Sequence, residues 1–133
     1  MHPGLALQKA IHAALVGNAE VAALVGGRVF DAAPRETAFP YVTLGEARTA
    51  DWSTGSEAGA EHRVALNAWS RARGKTECWT MLAALRDALH DAALTLDGHR
   101  LVNLRIEAED VGQTRDGITW LGVARLRAVT EPA

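Results

Sequence analysis

Apolar residues follow two different periods along this chain, and the switch between them places the elements. Pro3 stands where a helix can begin, because the first turn has no use for its missing N–H. Leu7, Ile11, Ala14 and Leu15 follow at i, i+4, i+7 and i+8 and make one apolar stripe. Gly17-Asn18 closes that helix. Ala19 to Leu24 predicts a further short helical piece stopped by Gly26-Gly27, Arg28-Val29-Phe30 a brief strand, and Asp31 to Ala38 a loop. Alternation then takes over. Tyr41 to Leu44 predicts a strand between Pro40 and Gly45, and Arg63 to Ser70 a second, with Val64, Leu66 and Ala68 on one face.

Helical spacing returns after Gly74. From Lys75 to Ala92, Cys78, Met81, Leu82, Leu85, Leu89 and Ala92 share one face, with Glu77, Thr80, Asp87, His90 and Asp91 on the other. Leu94 and Leu96 lead to Asp97-Gly98, a hairpin turn, and Leu101 to Ala108 alternates with Val102, Leu104 and Ile106 on one face. Asp116-Gly117 marks another turn before a last strand from Ile118 to Val129. This order predicts a single α+β domain over residues 1–133: an antiparallel sheet of about four strands, two main helices on one face, and a long β-hairpin loop. The loop is placed at 47–60 (ARTADWSTGSEAGA), fourteen mostly small and polar residues between two strands, more than a plain hairpin needs.

Composition narrows the function. Fourteen basic against sixteen acidic side chains give a net charge of −2, without the electrostatic footprint of a sequence-independent nucleic-acid binder. Twelve of the fourteen basic residues are Arg, the residue suited to planar, bidentate pairing at protein interfaces. A single cysteine excludes an internal disulfide framework and any multi-Cys metal site. The apolar stretch from Leu5 to Val16 is broken by Gln8, Lys9 and His12, so neither a signal peptide nor a membrane span is expected.

Candidate chemistry mostly dissolves on inspection. Arg73-Gly74-Lys75-Thr76 ends like a phosphate-binding loop, but Trp69 stands where the motif requires its first glycine. Cys78 is in register with Met81, Leu82 and Leu85, which places it in the core, where a thiol is unreactive. The five histidines are scattered singly, and both His62 and His99 are expected to face water. Glu107, Glu109 and Asp110 form an acidic strand end. Glu107 and Glu109 would share a face, within reach of Arg125 and Arg127 if the last two strands form a hairpin. Trp52 is the remaining feature: set among polar residues and flanked by Arg48 and Asp51, it is either an interface anchor or a lid over the sheet edge. No catalytic residue, cofactor site or metal site emerges. The candidate protein-interface residues are Arg48, Asp51, Trp52, Arg125 and Arg127.

An ordered set of phrases over about residues 5–131 carries a resemblance. They are LQKAIHAAL, VAALVGGRVFDAAP, FPYVTLGEARTADWST, HRVALNAWSRARGKTE, MLAALRDALHDAALTLDGHRLVNLRIE and DGITWLGVARLRAVTE. In that order they resemble the small tail-completion proteins of long-tailed phages and phage-like gene transfer agents. The resemblance implies a structural virion protein, not an enzyme: a tail terminator whose subunits form a ring, commonly a hexamer, at the head-proximal end of the tail tube. Its expected partners are other copies of itself, the tail tube protein and the head-tail connector or stopper. DNA would pass through the ring without specific binding, no membrane is involved, and assembly would take place in the bacterial cytoplasm. A connector, stopper or tail-assembly factor is the alternative within the particle. A small Cys- or metal-dependent enzyme is the distant one.

Overall fold

The computed structural model describes all of residues 1–133 and is α+β, with three helices and one six-stranded sheet. The elements are α1 (Pro3–Val16), α2 (Ala19–Val25), β1 (Val29–Phe30), β2 (Tyr41–Asp51), β3 (Ala60–Ser70), α3 (Thr76–Leu89), β4 (Thr95–Leu96), β5 (His99–Gln113) and β6 (Trp120–Pro132). The expectation of about four strands and two helices is therefore corrected to six and three. The two extra strands, β1 and β4, are two-residue edges, and α2 is a seven-residue helix of its own. Strand order is β1-β2-β3-β6-β5-β4, antiparallel except for the β1–β2 pair.

Local chemistry explains the helix ends. Pro3 is the first residue of α1, and the His2 ring accepts the Gly4 N–H at 2.9 Å. The Asn18 side chain caps α2 by accepting the Val21 N–H at 3.0 Å, and Gly26, at φ +57°, ends it in the left-handed conformation. α3 stops at Leu89, three residues earlier than the apolar pattern suggests. The chain there turns onto the edge of β5: the His90 ring accepts the Ile106 N–H at 3.0 Å, and the Asp91 N–H donates to the Leu104 carbonyl at 2.8 Å.

The helices cover one face of the sheet. Leu7, Ile11 and Leu15 of α1, Val21 and Val25 of α2, and Cys78, Met81, Leu82, Leu85 and Leu89 of α3 are buried there against Leu66, Ala68, Leu104, Ile106, Ala124, Leu126 and Ala128 of the sheet. Each fully buried leucine contributes about 1.5–3 kcal/mol. Helix and sheet come close at Gly122, where an added Cβ would lie 3.2 Å from Leu82 Cδ1 and 3.3 Å from Cys78 Cβ. No helix is long and apolar enough to cross a membrane.

Two sequence expectations fail through register. The chain between β2 and β3 is not a fourteen-residue loop: both strands run further than their apolar residues do, leaving only 52–59 between them. Along β5, an irregularity between Leu101 and Asn103 shifts the alternation, so Leu104 and Ile106 are buried while Val102 is exposed.

Two substitutions test the helix-to-sheet contact. Leu85→Asp is expected to abolish the cooperative melt, because an unpaired carboxylate enters the core. Gly122→Val is expected to lower stability by about 1–3 kcal/mol, read from the urea midpoint, because α3 must move off the sheet. Unchanged midpoints would show that α3 does not pack at this distance.

Candidate interaction face

The face of the sheet turned away from the helices concentrates the polar chemistry. Directly opposed residues in a ladder share a face, so the register from Arg48 to Arg63, Arg63 to Arg127 and Arg127 to Arg105 sets four arginines in one row across β2, β3, β6 and β5. Like charges in opposed positions repel, and interleaved acids offset the repulsion. Glu61 accepts from Arg127 at 2.8 and 2.7 Å and lies 3.9 Å from Arg63, which also pairs with Glu107. Arg105 reaches Asp91 at 4.0 Å. Arg48, alone in the row, has no acid within ion-pair distance. One step away Arg125 stands 3.5 Å from Asp110, both more than half exposed.

The sequence expectation that Arg125 and Arg127 pair with Glu107 and Glu109 does not hold. An irregularity between Ile106 and Ala108 inserts an extra residue into β5 and turns the next position over. Glu109 thereby faces the helices, where Arg86 of α3 grips it at 2.6 and 3.0 Å, while Glu107 stays on the bare face with Arg63.

A second irregularity, between Leu44 and Ala47 of β2, lies at the same level across the sheet, since Ala47 opposes Val64, Val64 opposes Leu126, and Leu126 opposes Ile106. Between the two runs an open groove of about 590 Å³. Arg48, Arg63, Arg125, Glu46 and Glu107 wall it, and Ala47, Ala65 and Ala108 are among its small lining residues. At one end of this face Trp69 stacks on Tyr41 with centroids 6.0 Å apart and donates from its indole to Thr43 at 2.9 Å. Toward the other end lies Trp52, 52% exposed, with the Arg127 guanidinium 5.1 Å from its ring centroid. Asp51 takes no part in this contact. Its carboxylate accepts the Ser53 hydroxyl at 2.6 Å and the Ser53 N–H at 3.2 Å, which holds its pKa below the usual carboxylate range and shapes the hairpin end. The structure thus gathers Arg48, Trp52, Arg125 and Arg127 on one face and assigns Asp51 to the turn. Sequence reasoning missed Arg63 and Glu61 and gave Glu107 the wrong partner, because these pairings span strands far apart in the chain.

Comparison with known proteins places this face in context. The family model described as Tail completion protein gp17 matches residues 9–131. The chain belongs to that family. This tail completion protein is also similar to a chain in the virion of a native gene transfer agent particle, at 32% identity and a TM-score of 0.90, covering 98% of this chain and 99% of the other. It shares its fold with the gp17 protein of bacteriophage SPP1, at 21% identity and a TM-score of 0.66, over 94% of this chain and 88% of that one. No curated protein matches the chain. Its role is structural, in completing the tail.

The remaining candidates in this tail completion protein are structural too. The Cys78 thiol is buried, donates to the Ala68 carbonyl at 3.6 Å, and has its pKa raised by that burial. Gly74 at φ +81° and the Lys75 cap form a plain turn into α3. No three His, Cys, Asp or Glu residues are grouped to hold a metal ion. His62, expected from the sequence to face water, is instead 1% exposed, because β3 starts earlier and turns it toward the helices. Its two ring nitrogens lie 2.9 Å from the hydroxyls of Thr49 and Thr130, tying β2, β3 and β6 together.

Burial lowers the His62 pKa below its ordinary 6.5, with smaller contributions from His2 and His99. The neutral ring therefore stabilises the fold fully above pH 6.5, and that stability is lost progressively as the pH falls below it toward the lowered folded value. Denaturant midpoints should fall on acidification through this window. His62→Leu should flatten that part of the profile while costing about 1–3 kcal/mol at neutral pH, because two buried hydroxyls lose their partner. An identical pH profile in His62→Leu would contradict the assignment.

Proposed function

We propose that this chain is a single tail-terminator domain over residues 1–133. Its copies close into a hexameric ring at the head-proximal end of the tail tube. A closed ring requires a heterologous contact that returns to its start by rotation, so two different surfaces of each subunit must meet. The ring stops tube growth and offers a surface to the head-tail connector or stopper, while DNA passes through without specific binding. Assembly takes place in the bacterial cytoplasm, and the chain acts by contact, not catalysis. The observation that carries this reading is the near-complete coverage, in both directions, of the match to a gene transfer agent virion chain. Each surface of this subunit therefore has a counterpart on a chain that sits in a particle.

Within the subunit, the bare face supplies the contact residues Arg48, Trp52, Arg125 and Arg127, and Asp51 sets the hairpin end beside them. The hairpin end, 52–59, is a short arm whose residues are exposed apart from the partly covered Gly59. Trp52 supplies its one large apolar surface. An aromatic that remains half exposed beside a guanidinium is suited to docking in a partner's pocket.

The test separates folding from function. Replacing 52–59 by a two-residue Asn-Gly turn, and separately Trp52→Ala, should leave circular dichroism and the thermal melt close to the parent. Both variants should fail to cap tails, giving tubes of irregular length or tails without heads by electron microscopy. Normal particle yields from both variants would overturn the assignment of the arm. A protein that binds the portal complex and not tail tubes would belong at the connector or stopper station instead.

A further inference from the structure

The groove between the two facing irregularities has a use that ring formation does not assign. We propose that it docks an extended acidic segment of another virion protein, with carboxylates bound by Arg48 and Arg125 and the segment's backbone lying over the alanine lining. This rests on the reading of the chain as a tail completion protein that joins other proteins, and it is tested apart from ring formation.

Three features of the groove favour such an occupant. Its volume of about 590 Å³ lies within the ~300–1,000 Å³ range of ligand clefts. Alanines at 65 and 108, both opposed to Arg125 on the bare face, let a main chain approach closely, as larger side chains there would not. The charges are asymmetric. Arg63 is already neutralised by Glu107, whereas Arg48 has no acid in ion-pair range and Arg125 has only a loose one at 3.5 Å. Two exposed guanidinium groups on one groove, one of them uncompensated, are ready-made partners for carboxylates, which they bind in a bidentate manner. Glu46 lies on the same lining and repels a carboxylate at its end, which gives the bound segment a direction.

Other occupants fit less well. A nucleic-acid backbone needs a net positive field, but the acids of this face largely cancel its arginines and the whole chain carries −2. A second copy of the chain has no suitable acidic stretch to offer. Glu107, Glu109 and Asp110 are ion-paired at home, and the acids without such a partner stand singly, among them Glu20 and Asp87 on helices, Asp31 and Asp97 in turns, and Glu46 and Asp51 in β2.

The experiment is an NMR titration of the whole protein with a short blocked peptide of alternating Glu and Ala, against the same peptide with Gln for Glu. The expected result is movement of the Arg side-chain resonances and of the Ala65 and Ala108 amides with the Glu peptide, weakening as salt is raised. Arg48→Ala and Arg125→Ala should each weaken binding by about tenfold or more, the worth of one charge-assisted hydrogen bond. Arg115→Ala, which removes the same charge from the β5–β6 turn, should leave it unchanged. Equal affinity for the two peptides, or indifference to Arg48→Ala, would overturn the proposal. So would preferential binding of a short DNA duplex, or resonance shifts that track protein concentration without peptide. Native mass spectrometry of the same samples reports the ring separately. Peptide binding without rings would sink only the ring, and rings without peptide binding only the groove.

Discussion

Coverage of a single sheet face is the constraint on which the rest of this molecule depends. Gly122 is a tight point of that contact. With only a hydrogen there, α3 lies close enough for Leu82 and Cys78 to touch the backbone of β6, and the inward positions of that strand stay small enough to match. All three helices join the same layer, so the chain has no apolar cover left for the other side. That side must be made soluble by its own side chains. The arginine row and its interleaved acids do this: each arginine in opposed register would repel its neighbour without Glu61 and Glu107 between them.

The two strand irregularities turn this solvated face into a shaped one. An extra residue in an antiparallel pair bends the strand and re-aims the side chains beyond it. In β5 it sends Glu109 to Arg86 on the helix side and keeps Glu107 with Arg63 on the other, so one acidic cluster ties down both layers. With its counterpart in β2 at the same level, it bounds the groove. A structural protein of the tail meets other proteins through its surfaces, and geometry of this kind supplies a shaped one without disturbing the packed face behind it.

How much of this was legible in the sequence varied with the range of the interaction. The stripe through Leu7, Ile11 and Leu15 and the one through Cys78, Leu82 and Leu85 are local periodicities, and both helices and the burial of Cys78 follow from them. The order of strands and their ends does not. No large apolar residue marks Ala47 to Asp51 or Ala60 to His62 as strand; their neighbours in the sheet hold them extended, and His62 is buried because β3 begins two residues before it. The same limit hid the register changes in β5, which exposed Val102 and separated Glu107 from Glu109. The family was readable from ordered phrases spread over the chain. The interface residues were named singly, and the groove that unites Arg48 with Arg125 depends on four strands meeting in space.

We propose that this protein works through its bare sheet face, and two tryptophans can report on it. Trp52 belongs to that face and is 52% exposed; Trp79 stands on α3 and is 47% exposed. Hydroxyl-radical footprinting, read by mass spectrometry on free protein and on assembled particles, compares the two directly. Trp52 is expected to lose most of its reactivity on assembly, by a larger factor than Trp79. Trp52 reacting as fast in the particle as in the free subunit would contradict it.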